Sequence, residues 1–418
     1  MGFSMFRISV CMVAGFAAGV AGGNSPINGA GAVVPQPDAI HSYLQPLIEN
    51  GTLAGAVTLV ASKDRIVYLK AAGFRDLKAG VPMTTNDLFW IASTTKPMTA
   101  TALMMLVDEG KVSLNDPVEK YLPEFKGQSV ALKNPESAPE AERATDVPKP
   151  SQIVPANHPI LVREILSHTS GLPFRSAVQP GALDLLPLKD AVRSFAAEPL
   201  LFQPGTSYSY SNEGLKTAAR IIEVVSGIPY EQFMQERLFT PLGMTDTTFW
   251  PNATQTSRLA KTYRVDAHTK KLVEVPISQL TYPLNDRMHR YPMPAGGLFS
   301  TAEDVSKFCQ MILNAGIING KRYISRESIH QMTSVQNGGL GGTGYGFGWS
   351  VSNTGYGHGG AFRNAMEIDP AKDRILIVMI QQDGAWGSPQ GDAIVPTLSR
   401  LADDLVSSST ATATGNSR

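Results

Sequence analysis

Residues 88–96 read LFWIASTTK, an apolar run that ends in a serine and, three residues later, a lysine. Residues three apart share one face of a helix, so Lys96 can place its amine beside the Ser93 hydroxyl. A serine is a weak nucleophile until an adjacent base takes its proton, and a buried, neutral lysine can act as that base. No other serine in the chain has a lysine at this spacing. The plainer interpretation, a helix-capping serine followed by a solvated lysine, stays open at this point.

Two further polar blocks lie downstream of this segment. The first is YSN at 210–212, inside a stretch rich in turn-forming residues, and the second is YGHGGA at 356–361. Acyl transfer requires a nucleophile, a group that moves protons and donors for the developing oxyanion. The two blocks contain residue types suited to the last two tasks. Two shorter segments accompany them, LSHTSGL at 166–172 and PAGGLFSTAED at 294–304.

In this order, the blocks STTK, YSN and YGHGGA resemble those of the serine β-lactamase and penicillin-recognising hydrolase superfamily. The likeness is closest to its class C branch, with the related esterases and D-stereospecific peptidases, and it extends over about residues 38–405. It implies an α/β fold of the α+β type, in which an antiparallel sheet is flanked by helices and a mostly helical region is inserted. The active site would lie in the cleft beside that region.

The resemblance implies a role for each residue of these blocks. Ser93 would be the nucleophile, while Lys96 and Tyr210 would move protons, with the proton of Tyr210 held off by positive neighbours. Which of the two takes the first proton stays open. Asn212 would orient Lys96 and the acyl side of the substrate. The backbone N–H groups of Ser93 and Ala361 would form the oxyanion hole, which contributes about 3 kcal/mol per donor.

His358 is where the sequence departs from class C β-lactamases, which carry a lysine here in a Lys-Thr-Gly pattern. A histidine is only partly charged near neutral pH, so we expect weaker recognition of a substrate carboxylate than a lysine gives. Gly359 and Gly360 lack Cβ atoms, which lets a substrate lie close to the strand edge. A purely structural histidine at position 358 stays open. His168, in the LSHTSGL segment, is interpreted as part of the scaffold.

Apolar patterns indicate strands near both ends of the chain and helices between them. A helix is predicted from Ser93 to about residue 109, with Gly110 as its stop. Another is predicted at about 393–406, and 126–157 has the composition of a long surface loop. The predicted strands are 55–61, 65–72, 345–351, 362–369 and 374–381.

Strands at both ends of the chain imply that the two ends build one domain. We expect an α/β domain made of 36–110 and 290–406, with 111–289 inserted as a mostly helical region. The tail at 407–418 is rich in Ser, Thr and Ala, a composition that predicts disorder.

The N-terminus has the pattern of an export signal. Arg7 is followed by an apolar run over 8–20 and by small residues to position 22, and the run is shorter than the ~20 residues that span a bilayer. We expect 1–22 to be a signal peptide, the protein to be periplasmic or secreted, and no membrane span to remain after cleavage. Cys309 would then be the sole cysteine, and its apolar neighbours at helical spacing favour a buried structural thiol.

Net charge and short motifs argue against three other classes of protein: nucleic-acid-binding proteins, dinucleotide-binding proteins and ordinary α/β-hydrolases. Lys+Arg and Asp+Glu both number 36, so the formal net charge is zero and nothing indicates nucleic-acid binding. Glycine patterns at 339–344 and 355–360 do not open a helix after a strand, as a dinucleotide site requires. No G-x-S-x-G elbow is present in the sequence, which disfavours an ordinary α/β-hydrolase.

These observations predict a secreted serine hydrolase that cleaves a small ester, amide or D-amino-acid peptide through an acyl-enzyme on Ser93. It would need no metal and no organic cofactor. A carboxylesterase or a D-stereospecific peptidase is favoured over a β-lactamase because of His358. The alternatives are a β-lactamase and a penicillin-binding protein that is acylated but turns over slowly or not at all.

Overall fold

The computed structural model describes residues 38–132, 152–178 and 183–415 of the 418-residue chain. The predicted signal peptide at 1–22 and part of the predicted loop at 126–157 lie outside the described residues. No helix in the described ranges is long and apolar enough to cross a membrane.

The strands are short except near the N-terminus. They are β1 (Gly55–Ala61), β2 (Ile66–Asp76), β3 (Val81–Pro82), β4 (Phe89–Trp90), β5 (Ser129–Leu132), β6 (Gln152–Pro155), β7 (Tyr263–Val265), β8 (Leu272–Glu274), β9 (Phe299–Ser300), β10 (Ile317–Ile318), β11 (Lys321–Arg322), β12 (Gly344–Tyr345), β13 (Ser350–Val351), β14 (Tyr356–Gly359), β15 (Ala365–Asp369), β16 (Arg374–Met379) and β17 (Gln382–Asp383).

Eight of these strands form one sheet in the order β12-β13-β14-β15-β16-β1-β2-β3, and every neighbouring pair runs antiparallel. The N-terminal hairpin β1–β2 therefore pairs with the C-terminal β16, so strands from both ends of the chain share one sheet. The remaining strands form small pairs, except that β17 joins β7 and β8 in a three-stranded sheet.

The helices vary in length from three residues to 22. They are α1 (Ala39–Glu49), α2 (Thr95–Asp108), α3 (Val162–Leu166), α4 (Leu188–Ala196), α5 (Asn212–Ser226), α6 (Tyr230–Met234), α7 (Thr240–Leu242), α8 (Ala253–Ser257), α9 (Ala302–Leu313), α10 (Arg326–Met332), α11 (Pro389–Asp392) and α12 (Ile394–Gly415). A π-helical turn, Gln235–Phe239, connects α6 to α7.

Both faces of the sheet are covered by helices. Helices α1 and α12 pack on one face, and α9 packs on the other. Successive side chains of a strand point to opposite faces, and in β1 Val57 and Leu59 enter the core on the α9 side while Ala56 and Val60 enter the core on the α12 side. All seven residues of β1 are buried for this reason. The predicted fold class, an antiparallel sheet flanked by helices, is confirmed.

A group of helices lies beside the sheet and places the polar segments of the middle of the chain. Helix α5 packs against α2, α3 and α4, which brings the residues at its N-terminus beside the start of α2. Helix α2 has twelve buried residues from Thr95 to Leu106, so it is enclosed on all sides by protein. A helix enclosed in this way provides a fixed base for any side chain at its first turn.

Three predicted elements differ in the structure. The predicted loop at 126–157 contains two paired strands, β5 and β6, in its described residues. The predicted strand 345–351 is interrupted, because the chain turns between β12 and β13 with Gly348 at φ 76°. Residues 407–418 are predicted to be disordered, and in the structure α12 extends to Gly415; residues 416–418 lie outside the described residues. A helix that packing has already nucleated adds further residues at little cost, which composition alone does not reveal.

The turn after β14 packs tightly on the segment that precedes Ser93. A Cβ atom on Gly360 would lie 2.5 Å from the Ile91 carbonyl oxygen, whereas a Cβ on Gly359 would meet only the Asn364 carbonyl oxygen, at 3.6 Å. The missing side chain of Gly360 thus allows a close contact inside the protein, while the predicted role of Gly359 and Gly360 in the approach of a substrate stays a prediction.

We expect Gly360→Ala to lower the free energy of unfolding by about 1–3 kcal/mol, the usual cost of forcing extra volume into a packed region. Gly359→Ala is the matched control and should stay within about 1 kcal/mol of the wild type, because its contact is ordinary. Urea titration of the three proteins measures the difference. Equal stabilities of the two variants would contradict the tight packing at Gly360.

Candidate active site

Ser93 lies in a short 3-10 turn, Ala92–Thr94, between β4 and α2. Ala92 has φ 44°, a left-handed conformation that is uncommon for a residue with a side chain. The N–H of Ile91 donates to the Leu298 carbonyl oxygen at 2.9 Å and holds the approach to this turn. Ser93 stays partly exposed while its two neighbours are buried, so this is the one side chain of the turn that remains accessible.

Lys96 is fully buried at the first turn of α2. Its Nζ lies 3.0 Å from the Ser93 Oγ and donates to the Ala295 carbonyl oxygen at 2.7 Å. Burial, and after it the positive charge of Lys216, hold the pKa of Lys96 well below its usual value. The interpretation of Lys96 as a solvated lysine is therefore wrong. A neutral amine in contact with a serine hydroxyl can accept its proton.

Tyr210 lies in the loop before α5, and the Lys96 Nζ is 4.6 Å from the centre of its ring. Burial raises the pKa of Tyr210, and a hydrogen bond with Ser93 lowers it by less. This direction is the opposite of the one expected from positive neighbours, because the burial of the phenol outweighs the other effects on its pKa. Tyr210 is a phenol at rest and carries a proton that it can give away.

His358, on β14, is only 7% exposed. Its Nε2 lies 3.1 Å from the Tyr345 hydroxyl and 3.5 Å from the Tyr210 hydroxyl, and its Nδ1 lies 2.8 Å from the Gly359 carbonyl oxygen. A carbonyl oxygen only accepts, so Nδ1 carries the proton and Nε2 accepts from the tyrosines. Burial lowers the pKa of His358 to about 3, with Lys96 adding to the effect. The expectation of a partly charged histidine is therefore wrong.

The remaining predicted residues lie around this centre. Neither the Ser93 N–H nor the Ala361 N–H donates to a backbone acceptor within the described ranges, which leaves both able to receive an oxyanion. Asn212 is buried as the first residue of α5. Its amide forms no hydrogen bond with Lys96 in the described part of the chain, so the structure does not join these two residues as the resemblance implied.

The sequence analysis missed Tyr345 and gave no functional weight to His168. Together with Tyr208 and Tyr210 they form an aromatic cluster in which the ring of His168 lies 4.5 Å from that of Tyr210 and 4.6 Å from that of Tyr345. Tyr345 stands between glycines at the edge of a sheet, a pattern that indicates an ordinary strand residue. Its hydroxyl acquires significance only because folding places it against His358.

Two buried ion pairs lie behind the cluster. The Lys216 Nζ is 3.2 Å from the Glu213 Oε1, and the Arg290 Nε is 2.7 Å from the Asp184 Oδ2. Burial raises the pKa of both carboxyl groups, and the paired cations lower it by less. Because Lys216 is close enough for its charge to disfavour a proton on Lys96, this region contributes to the neutral state of the amine.

Comparison with known proteins agrees with this architecture. The sequence matches the Beta-lactamase family over residues 40–395. Protein Rv1367c of Mycobacterium tuberculosis is 32% identical over 377 residues, which cover 82% of this chain and 90% of that protein. Esterase EstB of Burkholderia gladioli is 28% identical over 326 residues, covering 71% of this chain and 74% of the relative.

Among solved structures, EstCE1, a hydrolase with promiscuous acyltransferase activity, superposes with a TM-score of 0.68 at 22% identity and covers 88% of this chain and 97% of its own. At that identity the likeness concerns the fold alone. The family match over most of the sequence, together with a relative at 32% identity over 82% of the chain, decides the assignment. The chain belongs to the beta-lactamase family of serine hydrolases.

Proposed function

We propose that this protein is a serine esterase that hydrolyses small, uncharged carboxylic esters through a covalent acyl-enzyme on Ser93. One observation carries the proposal: the Nζ of a fully buried Lys96, whose pKa is held low, lies 3.0 Å from the Ser93 Oγ. A neutral base in contact with a hydroxyl is what an activated serine requires.

In the first half of the reaction, Lys96 takes the proton of Ser93 as its Oγ attacks the ester carbonyl carbon. The negative charge then develops on the carbonyl oxygen, where the N–H groups of Ser93 and Ala361 can receive it. Collapse of this intermediate expels an alkoxide, to which Tyr210 gives its phenolic proton. The ammonium that Lys96 has become stabilises the resulting phenolate and returns a proton to it.

In the second half, water attacks the acyl-enzyme and the same groups act again. Lys96 is once more neutral and accepts a proton from water, while Ser93 leaves as an alkoxide that is reprotonated. The positive neighbour that the family resemblance implied for Tyr210 thus exists only during turnover, after Lys96 has taken a proton. His358 lies beside the Tyr210 hydroxyl and is itself held by the Tyr345 hydroxyl, and both residues remain neutral throughout.

The charge state of His358 supports an ester rather than a β-lactam as substrate. Class C β-lactamases carry a lysine at this position, and a lysine is a compact cation suited to a carboxylate. His358 is neutral, since burial lowers its pKa to about 3. The relative named as an esterase supports the same choice. The alternatives are a D-stereospecific peptidase, a β-lactamase and a slow penicillin-binding protein. Rates on an ester, a D-Ala-D-Ala peptide and nitrocefin distinguish them.

Export is part of the proposal. The pattern of residues 1–22, a positive start followed by a short apolar run, supports secretion or a periplasmic location, where esters and peptides of the cell envelope are available.

We expect a short-chain p-nitrophenyl ester to be hydrolysed with a kcat/KM more than about tenfold above that of nitrocefin or a D-Ala-D-Ala peptide, a difference of about 1.4 kcal/mol in the barrier. Ser93→Ala should abolish turnover and labelling by a fluorescent phosphonate, whereas the exposed control Ser257→Ala should keep both. Release of one equivalent of product followed by arrest would instead indicate a slow penicillin-binding protein. Higher efficiency on nitrocefin would indicate a β-lactamase.

Tyr210→Phe should lower kcat by about 10²–10⁴-fold with little change in KM, because the ring stays and only the proton donor is lost. Tyr323→Phe is the matched control, since it removes a tyrosine hydroxyl that binds the Pro241 carbonyl oxygen far along the chain from the site. Steady-state kinetics with the p-nitrophenyl ester measure both. Turnover of Tyr210→Phe at the wild-type rate would exclude Tyr210 as the proton donor.

The pH dependence should report Lys96 and not His358. Only neutral Lys96 is a base, so kcat/KM should rise as pH rises through its lowered pKa and fall as acid protonates the amine. His358, with a pKa of about 3, is already neutral over that range. His358→Gln should therefore lower kcat by up to about tenfold, the worth of one hydrogen bond, and leave the midpoint of the acid limb in place. If the decrease of kcat/KM at acid pH disappeared in His358→Gln, the group that titrates would be His358 rather than Lys96.

A further inference from the structure

His168 occupies a backbone position where glycine is usually found. Helix α3 ends with Ser167 as its C-cap, and the next residue, His168, has φ 62°. Helices commonly end with a glycine in this left-handed conformation, because a side chain there costs free energy. A buried histidine at this point therefore suggests that its side chain has a use that offsets the strain.

Two hydrogen bonds from the loop before α5 end on this one residue. The N–H of Ser209 donates to the His168 carbonyl oxygen at 2.9 Å, and the N–H of Ser211 donates to the His168 Nδ1 at 3.1 Å. Ser209 and Ser211 are the two neighbours of Tyr210. The main chain on both sides of the proposed proton donor is thus held by the backbone and the side chain of His168.

The ring of His168 also supports the side chain of Tyr210 directly. It lies 4.5 Å from the Tyr210 ring and 4.6 Å from the ring of Tyr345, whose hydroxyl contacts His358. Since Nδ1 accepts a hydrogen bond, the single proton of the neutral ring is on Nε2, which is buried and has no hydrogen-bond partner in the described ranges. His168 therefore contacts no group to which it could pass a proton.

We infer that His168 is a positioning residue for Tyr210: by holding both neighbouring peptide groups and one face of the ring, it sets the distance of the phenol from Ser93 and from His358. The inference rests on the proposed function of Tyr210 as proton donor. A displacement of about 1 Å in a reacting group can cost about 10²-fold in rate, so loss of this support should appear in kcat rather than in KM.

The test uses two substitutions that tolerate the left-handed backbone. His168→Gly removes the acceptor and the ring, and we expect kcat for the p-nitrophenyl ester to fall by about 10–10²-fold with KM nearly unchanged. His168→Asn offers a side-chain oxygen to the Ser211 N–H and should recover most of that loss. Lys270→Gly is the control, because it places glycine at another left-handed position, φ 58°, on the exposed surface.

The same substitution in a Tyr210→Phe background separates positioning from a general structural effect. If His168 acts through the Tyr210 hydroxyl, His168→Gly should change kcat of Tyr210→Phe by less than about threefold, because coupled residues are not additive. The inference would be overturned if the fold-decrease in kcat of the double variant equalled the product of the two single decreases. It would also be overturned if His168→Gly were as active as the wild type.

The rate of phosphonate labelling at Ser93 provides a second readout that does not depend on ester turnover. A wild-type protein that is labelled but hydrolyses no ester would refute the proposed function. The inference could then still be tested, because the effects of His168→Gly and Tyr210→Phe on the labelling rate should likewise not multiply. Thermal unfolding of each variant is measured alongside. If His168→Gly does not fold, the comparison of His168→Asn with wild type in both Tyr210 backgrounds decides the question.

Discussion

The burial of the Lys96 amine is the constraint on which the site depends. An isolated ammonium transferred out of water costs several kcal/mol, so the burial of this amine, with the positive charge of Lys216 nearby, holds the pKa of Lys96 well below its usual value. The 293–297 turn supplies the Ala295 carbonyl oxygen, and it is itself tight, since a Cβ on Gly297 would lie 2.9 Å from the Met293 main-chain nitrogen. The packing of this region therefore buries the amine, and that burial lowers the pKa of Lys96.

A second property follows from the first: the groups around Ser93 are polar but neutral at rest. Tyr210 keeps its proton because burial raises its pKa, and His358 loses its second proton because burial lowers its own. In the proposed mechanism, charge appears only when Lys96 takes a proton during the reaction, and the nearby hydroxyl and N–H groups then stabilise it. Fixed dipoles in a water-poor site stabilise such transient charge without having to reorganise.

The segments 183–187 and 277–291 lie beside the site and are held together by polar contacts. They are joined by the buried ion pair of Asp184 and Arg290 and by a hydrogen bond from the Tyr291 N–H to the Asp184 carbonyl oxygen at 2.8 Å. Apolar side chains of 277–291 pack on the cluster that contains Ala92 and Phe362, the neighbours of the two proposed oxyanion donors. Loops therefore pack beside the proposed oxyanion donors, while Lys96 is carried by α2, His358 by β14, and Ser93 and Tyr210 by the segments that lead into α2 and α5.

The sequence by itself determined the features that depend on neighbours in the chain. The contact of Ser93 with Lys96 needs only one helical turn, and the mostly apolar β1 is typical of a strand covered on both faces. Only the tertiary structure decided the protonation states, the hydrogen bond of Tyr345 to His358 and the support of Tyr210 by His168. Ala295 contacts Lys96 from 199 residues away and Ser211 contacts His168 from 43 residues away. Tyr345 and His358, only 13 residues apart, meet across strands of the folded sheet. Desolvation is a property of these assembled surroundings rather than of any local pattern.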